Sequence, residues 1–91
     1  MKLRRHRTFI KEFKKARLAD AQFERFIKFA DILIKEELLP TESKDHSLLG
    51  EYQDCREFHI GGDMLIIYLV NSKADETTIL LRIGTHSQLF K

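Results

Sequence analysis

Three histidines in the second half of the chain, interleaved with arginines, have the types and spacing that could do chemistry. His46 lies in Asp45-His46-Ser47-Leu48-Leu49-Gly50, His59 in Arg56-Glu57-Phe58-His59, and His86 in Arg82-Ile83-Gly84-Thr85-His86. Imidazole both takes and gives a proton near neutral pH. The planar fork of an arginine matches a phosphate. Together they suit acid–base chemistry on an anionic substrate, and Asp63 adds a carboxylate just beyond His59. The same side chains are acceptable zinc or manganese ligands, but no pair has a local spacing such as His-x-x-x-His or Cys-x-x-Cys. No metal and no other cofactor is therefore expected. Cys55 is a weak candidate nucleophile with a strand parity that points away from the core. No Walker loop or dinucleotide fingerprint is present.

The elements that must position these residues follow from periodicity. Lys2–Arg5 is short enough for an edge strand. Thr8 can cap a first helix with Phe9, Ile10 and Phe13 on one face. Asp20 can cap a second, in which Phe23, Phe26, Ile27, Ala30, Leu33 and Ile34 recur at helical spacing to about Glu37, before Pro40. Residues 41–53 are polar and irregular. Arg56–Ile60 then alternates, with Phe58 and Ile60 toward the helices and Glu57 and His59 on the open face. Gly61-Gly62 reads as a two-residue turn, which sets His59 opposite Met64 and puts Met64, Ile66, Tyr68 and Val70 on the open face. Met64–Val70 is apolar on both sides, as in a covered central strand, and Thr77–Ile83 is a further strand after a polar turn at Asn71–Glu76. Arg82 reaches the open face beside His59 only if that second hairpin has an odd loop or a β-bulge, because a one-residue slip flips every side chain. Gly84 permits a bend that swings His86 onto the same face. The fold class is α+β: an N-terminal helical hairpin packed on one face of a small antiparallel sheet.

Ninety-one residues make one domain spanning 1–91. A hydrophobic share of 43% with 33% charged residues fits a globular chain. No apolar run approaches the roughly 18 residues that span a bilayer, and the charged start lacks an export signal, so no membrane partner is expected. A single cysteine cannot form an internal disulfide and suits a reducing cytoplasm. The net charge of +2 hides an asymmetry: residues 1–35 hold 11 Lys/Arg against 4 Asp/Glu, the rest 5 against 10. Lys2, Arg4, Arg5, Arg7, Lys11, Lys14, Lys15 and Arg17 make the first part a surface for a polyanion, of which nucleic acid is the commonest. Solvated helix faces would show the same run.

The order of basic N-terminus, helical hairpin, Asp-His-x-Leu-x-Gly, Tyr52, Arg-x-x-His, Asp63, Leu65-Ile66-Ile67-Tyr68 and Arg-x-Gly-Thr-His through Leu89-Phe90 resembles the RelE superfamily of bacterial toxins, and within it the YafQ branch. The resemblance covers nearly the whole chain and is most specific over residues 45–90. It implies a microbial RNase fold, monomeric when alone, that cuts messenger RNA in the ribosomal A site and is silenced by a cognate antitoxin. His46, His59, Asp63, Arg82 and His86 carry over as catalytic residues and Phe90 as a base-stacking one, with Glu57, Arg56 and Tyr52 as further substrate contacts. Glu57 stands where such toxins can have aspartate, Tyr52 where they can have tryptophan, and Gly61-Gly62 replaces a segment that often contains proline. A non-catalytic RNA- or ribosome-binding module and a metal-dependent hydrolase are the alternative functions.

Overall fold

A five-stranded sheet in the order β1-β5-β4-β3-β2 carries the helical hairpin on one face. The computed structural model describes residues 2–71 and 76–90. The strands are β1 (Lys2–Arg5), β2 (His46–Ser47), β3 (Arg56–Gly61), β4 (Met64–Asn71) and β5 (Thr77–Thr85). The helices are α1 (Arg7–Lys15), α2 (Asp20–Ile34) and a single turn, α3 (His86–Leu89). β1 joins β5 in parallel, while the other neighbours run antiparallel.

The helix signals lie close to the observed boundaries. The α1 cap is His6, two residues before the expected Thr8: its Nδ1 accepts the Thr8 N–H at 3.1 Å. Asp20 is the first residue of α2 rather than its cap; the Ala19 N–H is instead taken by Gln22 Oε1 at 2.9 Å. α2 stops at Ile34, short of Glu37, because Glu36 turns left-handed with φ 58°. Phe9 from α1 and Phe29 and Leu33 from α2 pack on Phe58, Ile60, Ile66, Tyr68, Leu80 and Ile83 of the sheet. Burying rings and branched chains of this size supplies about 1.5–3 kcal/mol each.

The register differs from expectation at the first hairpin and meets it at the second. The first turn is Gly62-Asp63, with Gly61 paired to Met64 and a bulge between His59 and Gly61. His59 therefore faces Leu65 rather than Met64. That one-residue difference moves Met64, Ile66 and Tyr68 to the helix side and leaves Leu65, Ile67 and Leu69 on the other. The left-handed conformations of Gly61 (φ 121°) and Gly62 (φ 59°) permit the tight turn. In the second hairpin Asn71 pairs with Thr77, which leaves an odd-length loop between them, and a bulge follows between Ile67 and Tyr68, so both expected devices are present. The expected turn at Asn71–Glu76 falls largely on residues 72–75, outside the described residues. The bulge sets Ile67 opposite Arg82. Leu80 and Ile83 pack under the helices while Leu81 joins the opposite cluster, and Arg82 reaches the open face.

That face is partly roofed. Cys55, Leu65, Ile67 and Leu89 form a second buried cluster, with Leu48, Tyr52, Leu69, Leu81 and Phe90 around it. Cys55, expected to point away from the core, is inside it because the 310 turn Gly50–Tyr52 and α3 fold over the sheet there. This roof explains why β4 is apolar on both sides.

A clamp behind β3 fixes the loop that leads to His46. Asp45 accepts from Nε and Nη2 of Arg56, the closest bond at 3.0 Å, and from the Tyr68 hydroxyl at 2.5 Å. Burial first, then the bond to Asp45, holds the Tyr68 phenol well above its ordinary value near 10. Burial likewise raises the Cys55 thiol. Folded-state values raised above the unfolded ones give a contribution that is complete below the unfolded values and lost as pH rises beyond them. The urea midpoint should hold through neutral pH, begin to fall above about pH 8.5 as Cys55 ionises in the unfolded chain, and fall further above about pH 10 as Tyr68 does. Tyr68→Phe should flatten that decline and cost about 1.5–3 kcal/mol at neutral pH. An equally steep alkaline decline in the variant would rule Tyr68 out as its source.

Candidate active site

The open face gathers the chemistry in one cross-strand row. His46 on β2 pairs with Glu57 on β3, Glu57 with Ile67 on β4, and Ile67 with Arg82 on β5. Two strand spacings separate the Glu57 and Arg82 backbones, roughly 10 Å. His59 lies two residues along β3 from Glu57, and His86 begins α3 immediately after β5 ends. The floor between the two halves is apolar, formed by Leu65 and Ile67.

One half is built around a buried carboxylate. Glu57 is only 3% exposed and lies against two imidazoles. His59 Nε2 sits 2.8 Å from Glu57 Oε2, and His46 Nε2 sits 3.6 Å from the same oxygen. The two rings are nearly parallel, with centroids 6.3 Å apart. His46 Nδ1 is 2.8 Å from the Lys44 carbonyl, which can only accept, so Nδ1 carries the proton and donates. The lone pair of neutral His46 is then on Nε2. If His59 donates from Nε2 to Glu57, its lone pair is on Nδ1. Glu57 is thus buried beneath both rings, hydrogen-bonded to His59 and near His46.

The other half is a relay of contacts. The Arg82 guanidinium donates to Glu12 from Nε (3.3 Å) and Nη2 (2.6 Å), and to the Tyr52 hydroxyl from Nη1 (2.9 Å). Among the described residues three of its five N–H groups are used, leaving one on each Nη. The Glu12 carboxylate, chiefly, holds the guanidinium firmly protonated. Tyr52 meets Phe90 edge-on at 5.8 Å, and Phe90 meets the His86 ring at 4.8 Å. His86 is exposed. Gly84 stays within β5 instead of bending the chain. A Cβ there would lie 3.0 Å from Gln88 Oε1 and 3.1 Å from Leu89 Cδ2, so the glycine lets α3 dock closely.

Several expected residues lie elsewhere. Asp63 is exposed at the hairpin tip and makes no hydrogen bond or ion pair among the described residues. Arg56 is committed to Asp45. The partner of Arg82 is Glu12 on α1, 70 residues away, where Glu57 or Asp63 would have been the nearer choices along the sheet. The signal for Glu12 was present: it is the one acidic residue before Asp20, in a segment crowded with cations. Lys2, Arg4, Arg5, Arg7, Lys11, Lys14, Lys15 and Arg17 are all exposed. His46, Glu57 and His59 present ligand atoms within 4.8 Å of one another, a set fit for a metal ion that only the β2–β3 pairing creates.

Residues 1–91, the whole chain, match the family described as bacterial toxin of type II toxin–antitoxin system, YafQ. The chain belongs to that family. A toxin described as a putative YafQ of Haemophilus influenzae is 33% identical over 66 residues, which are 70% of this chain and 64% of that protein's length. E. coli YafQ in the DinJ–YafQ complex superposes with a TM-score of 0.82 at 28% identity, covering 98% of this chain and 97% of that one. A metal-bound toxin from Helicobacter pylori superposes at 0.83 and 32%, covering 98% of each chain. The α+β fold is thus that of the YafQ toxins. No helix among the described residues is long and apolar enough to cross a membrane.

Proposed function

We propose that this chain is a cytoplasmic endoribonuclease toxin that cleaves messenger RNA in the ribosomal A site without a metal, and so inhibits translation until a cognate antitoxin binds. The observation that carries the reading is the row from His46 and Glu57 to Arg82, closed at its end by His86. One of His46 and His59 takes the ribose 2′-OH proton. The 2′-oxygen then attacks phosphorus, and the bond to the 5′-oxygen breaks. Arg82 stabilises the charged phosphorane through its two free N–H groups. His86 donates a proton to the leaving 5′-oxygen. The products are a 2′,3′-cyclic phosphate and a 5′-OH. Phe90 offers a ring on which a base can stack. Asp63, at the hairpin tip, contributes only if the substrate reaches it.

The exposed cations on β1 and α1 suit ribosomal RNA, and affinity for ribosomes should fall steeply with salt because phosphate contacts release counterions. The antitoxin reading draws on the DinJ–YafQ complex and on an apolar stripe, Phe23, Ile27 and Ile34, exposed along α2 near Arg5. An acidic amphipathic segment would complement both. Induction in a bacterium lacking the antitoxin should stop growth and leave transcripts with new 5′-OH ends. Unchanged growth and intact transcripts would refute the reading, whereas stalled ribosomes with intact transcripts would favour a binding module.

A second reading has a specific observation behind it. His46, Glu57 and His59 would hold a zinc or copper ion, two imidazole nitrogens and a carboxylate being suitable donors, and the H. pylori relative is described as metal-bound. Such an ion supplies Lewis-acid chemistry, while the same nitrogens are withdrawn from proton transfer. Histidine NMR resonances that ignore added zinc would dismiss the site. Cleavage abolished by a chelator would make the metal reading the better one.

A further inference from the structure

On the reading that this site cleaves RNA, we propose that the cleft between α2 and the β3–β4 hairpin is a second phosphate subsite, in which Arg25 and Lys44 grip the backbone phosphate next to the scissile one. The cleft has a volume of about 310 Å³ and is lined by Arg25, Glu42, Lys44, His59, Gly61 and Gly62. His59 is therefore shared: one side of its ring region belongs to the Glu57 cluster and the other opens into the cleft.

Both cations are held close to the reacting groups by the backbone and remain free to bind an anion. Arg25 Nη1 donates to the Ile60 carbonyl at 3.2 Å. Among the described residues no carboxylate pairs with this guanidinium, so four N–H donors remain. Its seat depends on Gly61, since a Cβ there would stand 2.4 Å from Arg25 Nη1. Gln22 Nε2 donates to the Gly61 carbonyl at 2.9 Å and ties the start of α2 to the same point. Lys44 is left-handed with φ 52°, and its carbonyl is the acceptor that orients His46. Its ammonium has no carboxylate partner among the described residues. Glu42, the acid in the lining, is already engaged by Lys28 at 3.2 Å.

The chemistry of the ligand follows. RNA carries a negative charge at every internucleotide link. A strand laid with its scissile phosphate between the histidines and Arg82 must place a neighbouring phosphate beyond one end of the row. On the His59 side that position is this cleft, where a planar fork and a point charge converge. Here the paired cations hold the strand and set which linkage reaches His86.

The test uses a 2′-O-methyl trinucleotide, which has two phosphates and no 2′-OH to react. Its binding is followed by NMR at the Gly61 and Gly62 amides. A neutral methylphosphonate at one particular linkage should weaken wild-type binding several-fold and shrink the glycine shifts, and at the other linkage should leave those shifts in place. Lys44→Ala and Arg25→Ala should each show part of that loss with the native trinucleotide and a smaller further loss with the neutral link than the wild type, and the double variant should show no further loss. The double variant should reduce the salt slope by about 0.7, the value of one phosphate contact, and each single variant should reduce it by a part of that. Because Arg25 also supports the hairpin, Lys44→Ala, which removes no structural bond, is the deciding variant. Wild-type binding with an unchanged slope in Lys44→Ala would overturn the subsite and leave the RNA reading intact. Equal losses from either neutral linkage would also overturn it, as diffuse attraction. A wild-type protein that binds no RNA would overturn both.

Discussion

His86→Ala is expected to lower cleavage of ribosome-bound messenger RNA by about 10²–10⁴-fold, the usual worth of a positioned general acid. Cells in which the variant is induced should grow. The loss should be chemical rather than structural. His86 is exposed, and among the described residues its ring meets one other ring, that of Phe90, at 4.8 Å. The turn of α3 is held without it, since Thr85 Oγ1 accepts the Gln88 N–H and Gln88 Oε1 accepts the Thr85 N–H. Stability should therefore stay within about 0.5 kcal/mol of the parent. A substrate with sulfur in place of the leaving 5′-oxygen sharpens the test. A thiolate leaves without a proton, so the variant should recover most of its rate on that substrate. An undiminished rate on the ordinary substrate would remove His86 from the mechanism. A loss equally large on the sulfur substrate would keep it in the site but assign it another role.

Glu12→Ala should impair both folding and cleavage, although Glu12 stands on a helix outside the row from His46 to Arg82. Its carboxylate accepts the Nε and Nη2 bonds of Arg82 and also the Ile83 backbone N–H at 3.1 Å. Ile83 is buried, and past the end of β1 this N–H at the flank of β5 has no strand to pair with. Alanine would leave the amide without its acceptor and release the guanidinium from one side. A stability loss of about 2 kcal/mol follows from the unsatisfied donor. Cleavage should fall about tenfold or more, since a cation displaced by about 1 Å loses much of its hold on the transition state. Glu12→Gln keeps an oxygen for the Ile83 amide and should recover more stability than activity. Denaturant melts and single-turnover cleavage measure the two separately. A Glu12→Ala protein as stable and as active as the parent would show that Arg82 is held by Tyr52 alone.

The sequence by itself determined the class of the two long helices and of β3, β4 and β5, and the identity of the histidines, but not β2 or α3. Helical spacing from Phe23 to Ile34 and alternation through Arg56–Ile60 reflect periods of 3.6 and 2, which are local properties of the chain. The types of His46, His59, His86 and Arg82, with their flanking motif residues, carried the resemblance to the toxin family that the full-length match establishes. What needed the tertiary structure was register and long-range pairing. Placing the first turn at Gly61-Gly62 instead of Gly62-Asp63 is an error of one residue, yet it assigned Met64, Ile66 and Tyr68 to the wrong face of β4. The bulge at Leu81 then brings Arg82 to the open face, where the odd loop alone would have turned it toward the helices. Local propensity cannot distinguish such slips, because both registers satisfy the backbone and only packing against α1 and α2 separates them. The pairing of Glu12 with Arg82 was beyond reach for the same reason, although Glu12 itself stood out among the cations of the first helix. A carboxylate finds Arg82 across 70 residues only after α1 has docked along β5. The burial of Glu57 beneath His46 and His59 likewise exists only once β2 pairs with β3, a contact between two short segments that no period in the sequence announces.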